Sequence, residues 1–110
     1  MYQSELLKGN TETLLLSLLD TEPMHGYRIV REMERRSSGY FRFKEGTLYP
    51  ALHRLEAEGL VRGYWGEGIT GTSRRYYAIT PKGVAILDER LQEWRRFSQA
   101  VNLIMPACVQ

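Results

Sequence analysis

At 110 residues, 43% of them hydrophobic, the chain has room for one domain with a modest core, and this composition argues against a largely disordered polypeptide. A formal net charge of +2 excludes a polyanion binder driven by total charge, so any electrostatic role depends on where the charges sit. The leucine run at 14–19 is too short to cross a bilayer and no basic, long apolar leader opens the chain, so the expectation is a cytosolic protein without membrane association.

Taken in order, Gly9-Asn10-Thr11 reads as a helix start, with Asn10 or Thr11 able to cap free backbone donors, and a first helix follows from Glu12 to about Leu19. Its leucines at 14, 15, 16, 18 and 19 exceed what one buried face requires. Such a helix is either central to the fold or meets a partner subunit with its second face. Asp20 to Pro23 breaks the pattern, and a second helix is expected from Gly26 to Ser37, with Tyr27, Ile29, Val30 and Met33 apolar and the arginines mostly outward. His25, just before it, suits a capping or core-edge role better than that of a metal ligand.

After Ser37-Ser38-Gly39 and a short alternating segment, Tyr40 to Phe43, a third helix is expected from Glu45 or Gly46 to Gly59. It places Leu48, Leu52 and Leu55 on one side, with Ala51 beside them, and Gly46, Pro50, His53 and Ala57 opposite. The far face is small near its start, which lets the helix approach another surface closely. Thr47, Tyr49, His53 and Arg54 stand on its flanks with hydrogen-bonding groups, the equipment for lying in a DNA groove, although the same pattern fits an ordinary amphipathic helix. Tyr49 lies between the two faces and reads equally as a DNA contact or as the edge of the core.

Two alternating runs, Leu60 to Trp65 and Arg74 to Ile79, flank a glycine-rich segment and form a β-hairpin with a long tip. Three helices followed by such a hairpin is the order of a winged helix-turn-helix, an α+β, mostly α fold, in which the third helix is the recognition helix. Thr80-Pro81 opens a fourth helix that runs to about Met105. Leu87, Leu91, Trp94, Val101 and Met105 form its stripe, interrupted by Ser98. At about 38 Å it is longer than the preceding unit needs, and it is expected to pack on a second subunit, the alternative being a helix folded back over its own domain. The expected division is a DNA-binding domain over 1–79 and a dimerisation helix over 80–110.

Charge distribution points the same way as the element order. From Arg28 to Arg54 there are seven basic residues (Arg28, Arg31, Arg35, Arg36, Arg42, Lys44, Arg54) against three acidic ones (Glu32, Glu34, Glu45), an excess that brackets the start of the third helix. Ser73-Arg74-Arg75 stands where the hairpin tip meets its returning strand, where guanidinium groups neutralise phosphates or enter a narrow minor groove. Catalysis is not indicated. His25, His53, Cys108 and the glutamates do not converge, Glu56 and Glu58 point different ways, and the glycine-rich segment lies between strands rather than before a helix. A single cysteine builds neither an internal disulfide nor a zinc knuckle, so no cofactor or metal is expected.

The pieces Leu7-Lys8-Gly9, His25-Gly26-Tyr27, Gly46-Thr-Leu-Tyr-Pro-Ala-Leu52 with Arg54-Leu55-Glu56, Gly59-Leu60, Arg74-Arg-Tyr-Tyr77 and Thr80-Pro81-Lys-Gly83 together resemble the PadR family of bacterial transcriptional regulators, in its smaller branch with one C-terminal helix. The resemblance implies a homodimer paired through that helix, and usually repression of a nearby promoter. It also implies that Trp94 matches a tryptophan which, in some small members, sandwiches flat aromatic drugs against its symmetry mate. A tryptophan near a dimer axis serves either as such a stacking platform or as a packed interface anchor. The expected DNA contacts are Lys8, Tyr27, Lys44, Thr47, Tyr49, Pro50, His53, Arg54, Arg74 and Arg75. Leu91, Trp94, Phe97, Ser98 and Val101 are expected at the dimer interface or around a planar effector. The competing reading is a winged helix that binds protein rather than DNA.

Overall fold

A computed structural model describes residues 5–67 and 71–105 of the chain, with side chains from residue 9 onward. The elements run α1 (Glu5–Leu19), β1 (Met24–His25), α2 (Gly26–Arg36), α3 (Glu45–Ala57), β2 (Val61–Glu67), β3 (Ser73–Ile79) and α4 (Pro81–Ile104). This is the expected α+β architecture of three helices, a small antiparallel sheet and a long last helix. The Lys8 side chain, the hairpin tip at 68–70 and Cys108 lie outside the described residues.

Two features differ from the sequence reading. First, α1 starts at Glu5, so Gly9-Asn10-Thr11 lies inside the helix rather than capping it. A mid-helix glycine costs only about 1 kcal/mol relative to alanine, and the leucine cluster that follows offsets it. Thr11 is itself buried against the fold. Second, the sheet has three strands in the order β1-β3-β2, because Met24 and His25 pair with Tyr77 and Tyr76. A two-residue strand is too short to carry an alternating signature. The segment Phe41–Lys44 has no regular structure; Phe43 is buried and Phe41 packs beside it.

The core is continuous. Leu15, Leu16, Leu18 and Leu19 of α1 are all buried, Leu14 packs against them, and α1 touches α2, α3, α4 and β3. That resolves the open question of its second face: α1 is the central helix. Ile29 and Met33 of α2, Leu48, Ala51, Leu52 and Leu55 of α3, and Leu87 of α4 close around it.

The end of α3 is tied to the start of α4. Gly59, at φ +76°, ends α3 in the left-handed conformation. The Leu60 N–H then donates to the Leu55 carbonyl (2.9 Å) and the Gly59 N–H to the Glu56 carbonyl (3.0 Å), satisfying carbonyls that the helix end leaves free. Thr80 caps α4 through the Gly83 N–H (3.0 Å), while its own hydroxyl donates to the Gly59 carbonyl (2.6 Å) and its N–H to the Leu60 carbonyl (3.0 Å). Gly83 is buried against that Leu60 carbonyl so closely that a Cβ would collide with it.

Two glycine substitutions are therefore expected to act in opposite directions in urea unfolding. Gly9→Ala, with open space around it in mid-helix, should stabilise by about 0.5–1 kcal/mol, whereas a helix beginning at Glu12 predicts no change. Gly83→Ala should destabilise by about 2 kcal/mol, because the obstacle is backbone.

Candidate nucleic-acid interface

Helix α3 is locked on one side and open on the other. Leu48, Ala51, Leu52 and Leu55 are buried, whereas Gly46, Pro50, His53 and Ala57 are exposed, with Thr47 on the boundary. This is the division of faces expected from spacing alone. The N-terminus of α3 is also open: Lys44 occupies the cap position without a side-chain hydrogen bond, and nothing lies within 4 Å of where a Gly46 Cβ would stand. First-turn N–H groups without a capping side chain favour an anion there, with Lys44 adding a positive charge and Glu45, in the first turn, a negative one. Pro50 inside the helix donates no N–H to the Gly46 carbonyl.

Tyr49 is partly buried at the edge of the core. It packs on the buried cluster and its phenol ring lies directly on Gly26, where any Cβ would overlap it. The glycine thus brings the start of α2 against α3 and sets the angle of the helical pair. Arg54 is half-exposed but bound: its Nε donates to Glu12 Oε2 at 2.9 Å, tying α3 to α1.

The two wing arginines separate. Successive strand residues face opposite sides of a sheet, so Arg75 shares the inner side with Tyr77, whereas Arg74 lies on the outer side with Tyr76. Arg75 pairs with Glu56 of α3 at 2.9 Å and lies 5.7 Å above the ring of Trp65, its cross-strand partner. Strand parity in the sequence separates the two arginines, but nothing in the sequence pairs one of them with a glutamate 19 positions away.

Most of the basic excess around α2 is neutralised locally. Arg28 pairs with Glu22, and Arg42 stands 4.0 Å from Glu34. Arg35 and Arg36 both bind Glu32, whose carboxyl they hold down to about 2. Lys44 and Arg74 have no ion pair among the described residues. The exposed Tyr27 stands at the start of α2, stacked at 6.4 Å on His25, with the Arg31 guanidinium 5.6 Å from its ring. His25 in turn meets the edge of Tyr76, which stacks on Tyr64. This row of rings on the outer sheet face was invisible without the third strand. His25 also caps α2, its Nδ1 accepting the Arg28 N–H at 3.3 Å. Burial first, then the charges of Arg74 and Arg28, lower its pKa from the usual 6.5.

The second predicted site lies on α4. Leu87 is its last buried residue and Leu91 packs at the core edge. Beyond them Trp94 and Phe97 are exposed and stacked 5.9 Å apart, Leu103, Ile104 and Met105 are exposed, and only Ser98 and Val101 are partly covered. No group of metal-ligating side chains occurs among the described residues, and no helix there is long and apolar enough to cross a membrane.

Helix α3 with one face anchored and one open, followed by a two-stranded wing, defines a winged helix-turn-helix DNA-binding protein. The family model described as the transcriptional regulator PadR-like family matches residues 15–89. A transcriptional regulator from Clostridium thermocellum superposes with a TM-score of 0.85 at 32% identity, covering 96% of this chain and 99% of that one. A PadR-like transcriptional regulator from Bacillus cereus does so with a TM-score of 0.84 at 31% identity, covering 96% and 100%. A transcriptional regulator of Mycobacterium tuberculosis is 42% identical over 66 residues, 60% of this chain and 58% of that protein. The chain belongs to the PadR-like family of transcriptional regulators, and its function is DNA-binding regulation of transcription rather than catalysis.

The His25 cap carries a pH dependence with a definite sign. A histidine with a lowered folded-state pKa resists a proton that the unfolded chain accepts. Stability should be complete above about pH 6.5 and fall as pH drops through that value toward the lower folded-state pKa. His25→Asn, which caps without titrating, should flatten this fall in melting temperature between about pH 7 and 5.

Proposed function

We propose that this protein is a homodimeric, cytoplasmic repressor that places its two α3 helices in successive major grooves, about 34 Å apart, on a pseudo-palindromic operator. The observation that carries this reading is the open face of α3. Lys44, Thr47, Pro50 and His53 are presented on a helix whose opposite side is fully locked in the core, and a rigid, small face suits close approach to base edges. Lys44 and the α3 N-terminus take a phosphate, Thr47 and His53 reach bases or backbone, and Tyr27 and Arg74 touch the flanking strand. Arg54 and Arg75 are committed to Glu12 and Glu56, and Tyr49 to the core, so they support this face from behind.

Dimerisation is supported by the exposed half of α4. A helix of 24 residues that buries none of its side chains fully beyond Leu87, yet carries Trp94, Phe97, Leu103 and Ile104 outward, has the form of half an interface. A planar aromatic effector is accommodated by the stacked Trp94 and Phe97, which offer π faces beside the expected axis. By binding one dimer geometry better than another, it changes the spacing of the α3 helices and releases DNA.

Binding to a duplex selected by the wild-type protein should weaken steeply with salt, and Lys44→Ala and Arg74→Ala should each reduce the log–log slope by about one. A flat salt response points instead to a protein-docking winged helix. His53→Ala should cost about 1–3 kcal/mol at the bases it contacts. In sedimentation, Trp94→Ala should shift the protein toward monomer. In a Trp65→Phe background, planar dyes should quench the remaining tryptophan, and absence of quenching removes the effector.

A further inference from the structure

The carboxylate of Glu56 joins three elements at one point. Its Oε2 accepts a hydrogen bond from Arg75 Nη2 of β3 at 2.9 Å and from the Gly63 N–H of β2 at 3.3 Å. One acidic side chain on α3 therefore holds both strands of the wing. The register places this tie at the base of the projecting part of the hairpin, since Trp65 faces Arg75 and only Gly66 to Glu67 and Ser73 to Arg74 continue the described ladder toward the tip. The Arg75 guanidinium lies over the Trp65 ring on one side and is bound by Glu56 on the other.

Gly63 makes this arrangement possible. A Cβ at that position would stand 2.6 Å from Arg75 Nη2, 2.8 Å from its Cζ and 2.8 Å from Glu56 Oε2, so any larger residue would push the pair apart. Residue 63 is paired across the sheet with the buried Tyr77, on the inner face, where a side chain is otherwise expected. The space left by the missing side chain is filled by the ion pair.

We propose that Glu56, Arg75 and Gly63 form a positioning clamp that fixes the angle of the wing relative to the recognition helix, so that Arg75 serves DNA binding through Glu56 and not through a phosphate. The proposal rests on the reading that α3 and the wing share one DNA-facing side. A hairpin pivots most easily where it leaves the body of the domain, and a charge-assisted bond to a rigid helix resists that motion with directional geometry. Arg74, on the opposite face of the same strand, is left for the phosphate. The two neighbouring arginines thus divide the work: one sets the wing and the other binds.

The test uses the full-length protein and a DNA duplex selected by wild type from a random-sequence pool, with Kd measured across salt and the contact pattern read by hydroxyl-radical footprinting. Glu56→Met and Arg75→Met should each weaken binding about tenfold with the wild-type salt slope, and the double variant should be no weaker than either single one. The outer, wing-derived protections should fade while the central ones, from α3, persist. Arg75→Lys, which keeps the charge, should recover part of the affinity. A lowered salt slope for Arg75→Met, with Glu56→Met binding as wild type does, would make Arg75 a direct phosphate contact and overturn the clamp. Additive losses in the double variant would overturn it too. Thermal unfolding of each variant, followed by far-ultraviolet circular dichroism, confirms that the compared proteins are folded. The reading of α3 is checked separately: if His53→Ala and Lys44→Ala both bind with the wild-type Kd, that reading fails, whereas the clamp is judged on the outer protections.

Discussion

The Leu60 carbonyl oxygen is the point on which the arrangement of this molecule turns. It accepts the Thr80 N–H, and the first turn of α4 comes so close to it that residue 83 has room only for glycine. The same short segment, Gly59-Leu60, ends α3 and leads into β2, and the Gly59 carbonyl accepts the Thr80 hydroxyl. Three elements with different tasks, the helix that faces outward, the wing and the long last helix, therefore meet within a few residues, joined by one backbone hydrogen bond and by the Thr80 hydroxyl.

Electrostatics in this chain are arranged more for architecture than for total charge. Arg54 is spent on Glu12, Arg75 on Glu56, and Arg35 and Arg36 on a single glutamate. Exposed pairs of this kind contribute little to stability; the first two link separate elements, α3 to α1 and β3 to α3, whereas the pairs of Glu32 stay within α2. Cations that remain without an ion pair among the described residues include Lys44 at the start of α3 and Arg74 on the wing. A protein of net charge +2 can then favour particular phosphates without attracting polyanions indiscriminately.

The two halves of α4 obey different constraints. Up to Leu91 the helix completes the core around α1, and past that point Trp94, Phe97, Leu103, Ile104 and Met105 are exposed. The long axis of 52 Å, against 29 and 23 Å for the others, fits an element that projects from its own domain. A family of DNA-binding regulators offers a clear use for such a projection, since two-fold pairing sets the distance between recognition helices.

Sequence alone determined much of this. Hydrophobic periodicity is a local property, and it correctly divided α3 into Leu48, Leu52 and Leu55 on one face and Gly46, Pro50 and His53 on the other. Turn and cap chemistry are local too, which is why Gly59 and Thr80 were legible as an end and a start, and His25 as a cap or core-edge residue. The order of elements then sufficed for the fold and, with the matching motifs, for the family. What only the tertiary structure decided are relations between residues far apart in the chain. Whether α1 is central, whether Met24-His25 joins the sheet, whether Tyr49 packs on Gly26, and which arginine meets Glu56 all depend on contacts that no spacing records. The start of α1 belongs with them, because the local cost of Gly9 argued for a boundary that burial further along the helix overruled. Local propensities are worth a few tenths of a kcal/mol to about 1 kcal/mol, whereas packing one leucine into a core is worth more, and where the two disagree the packing prevails.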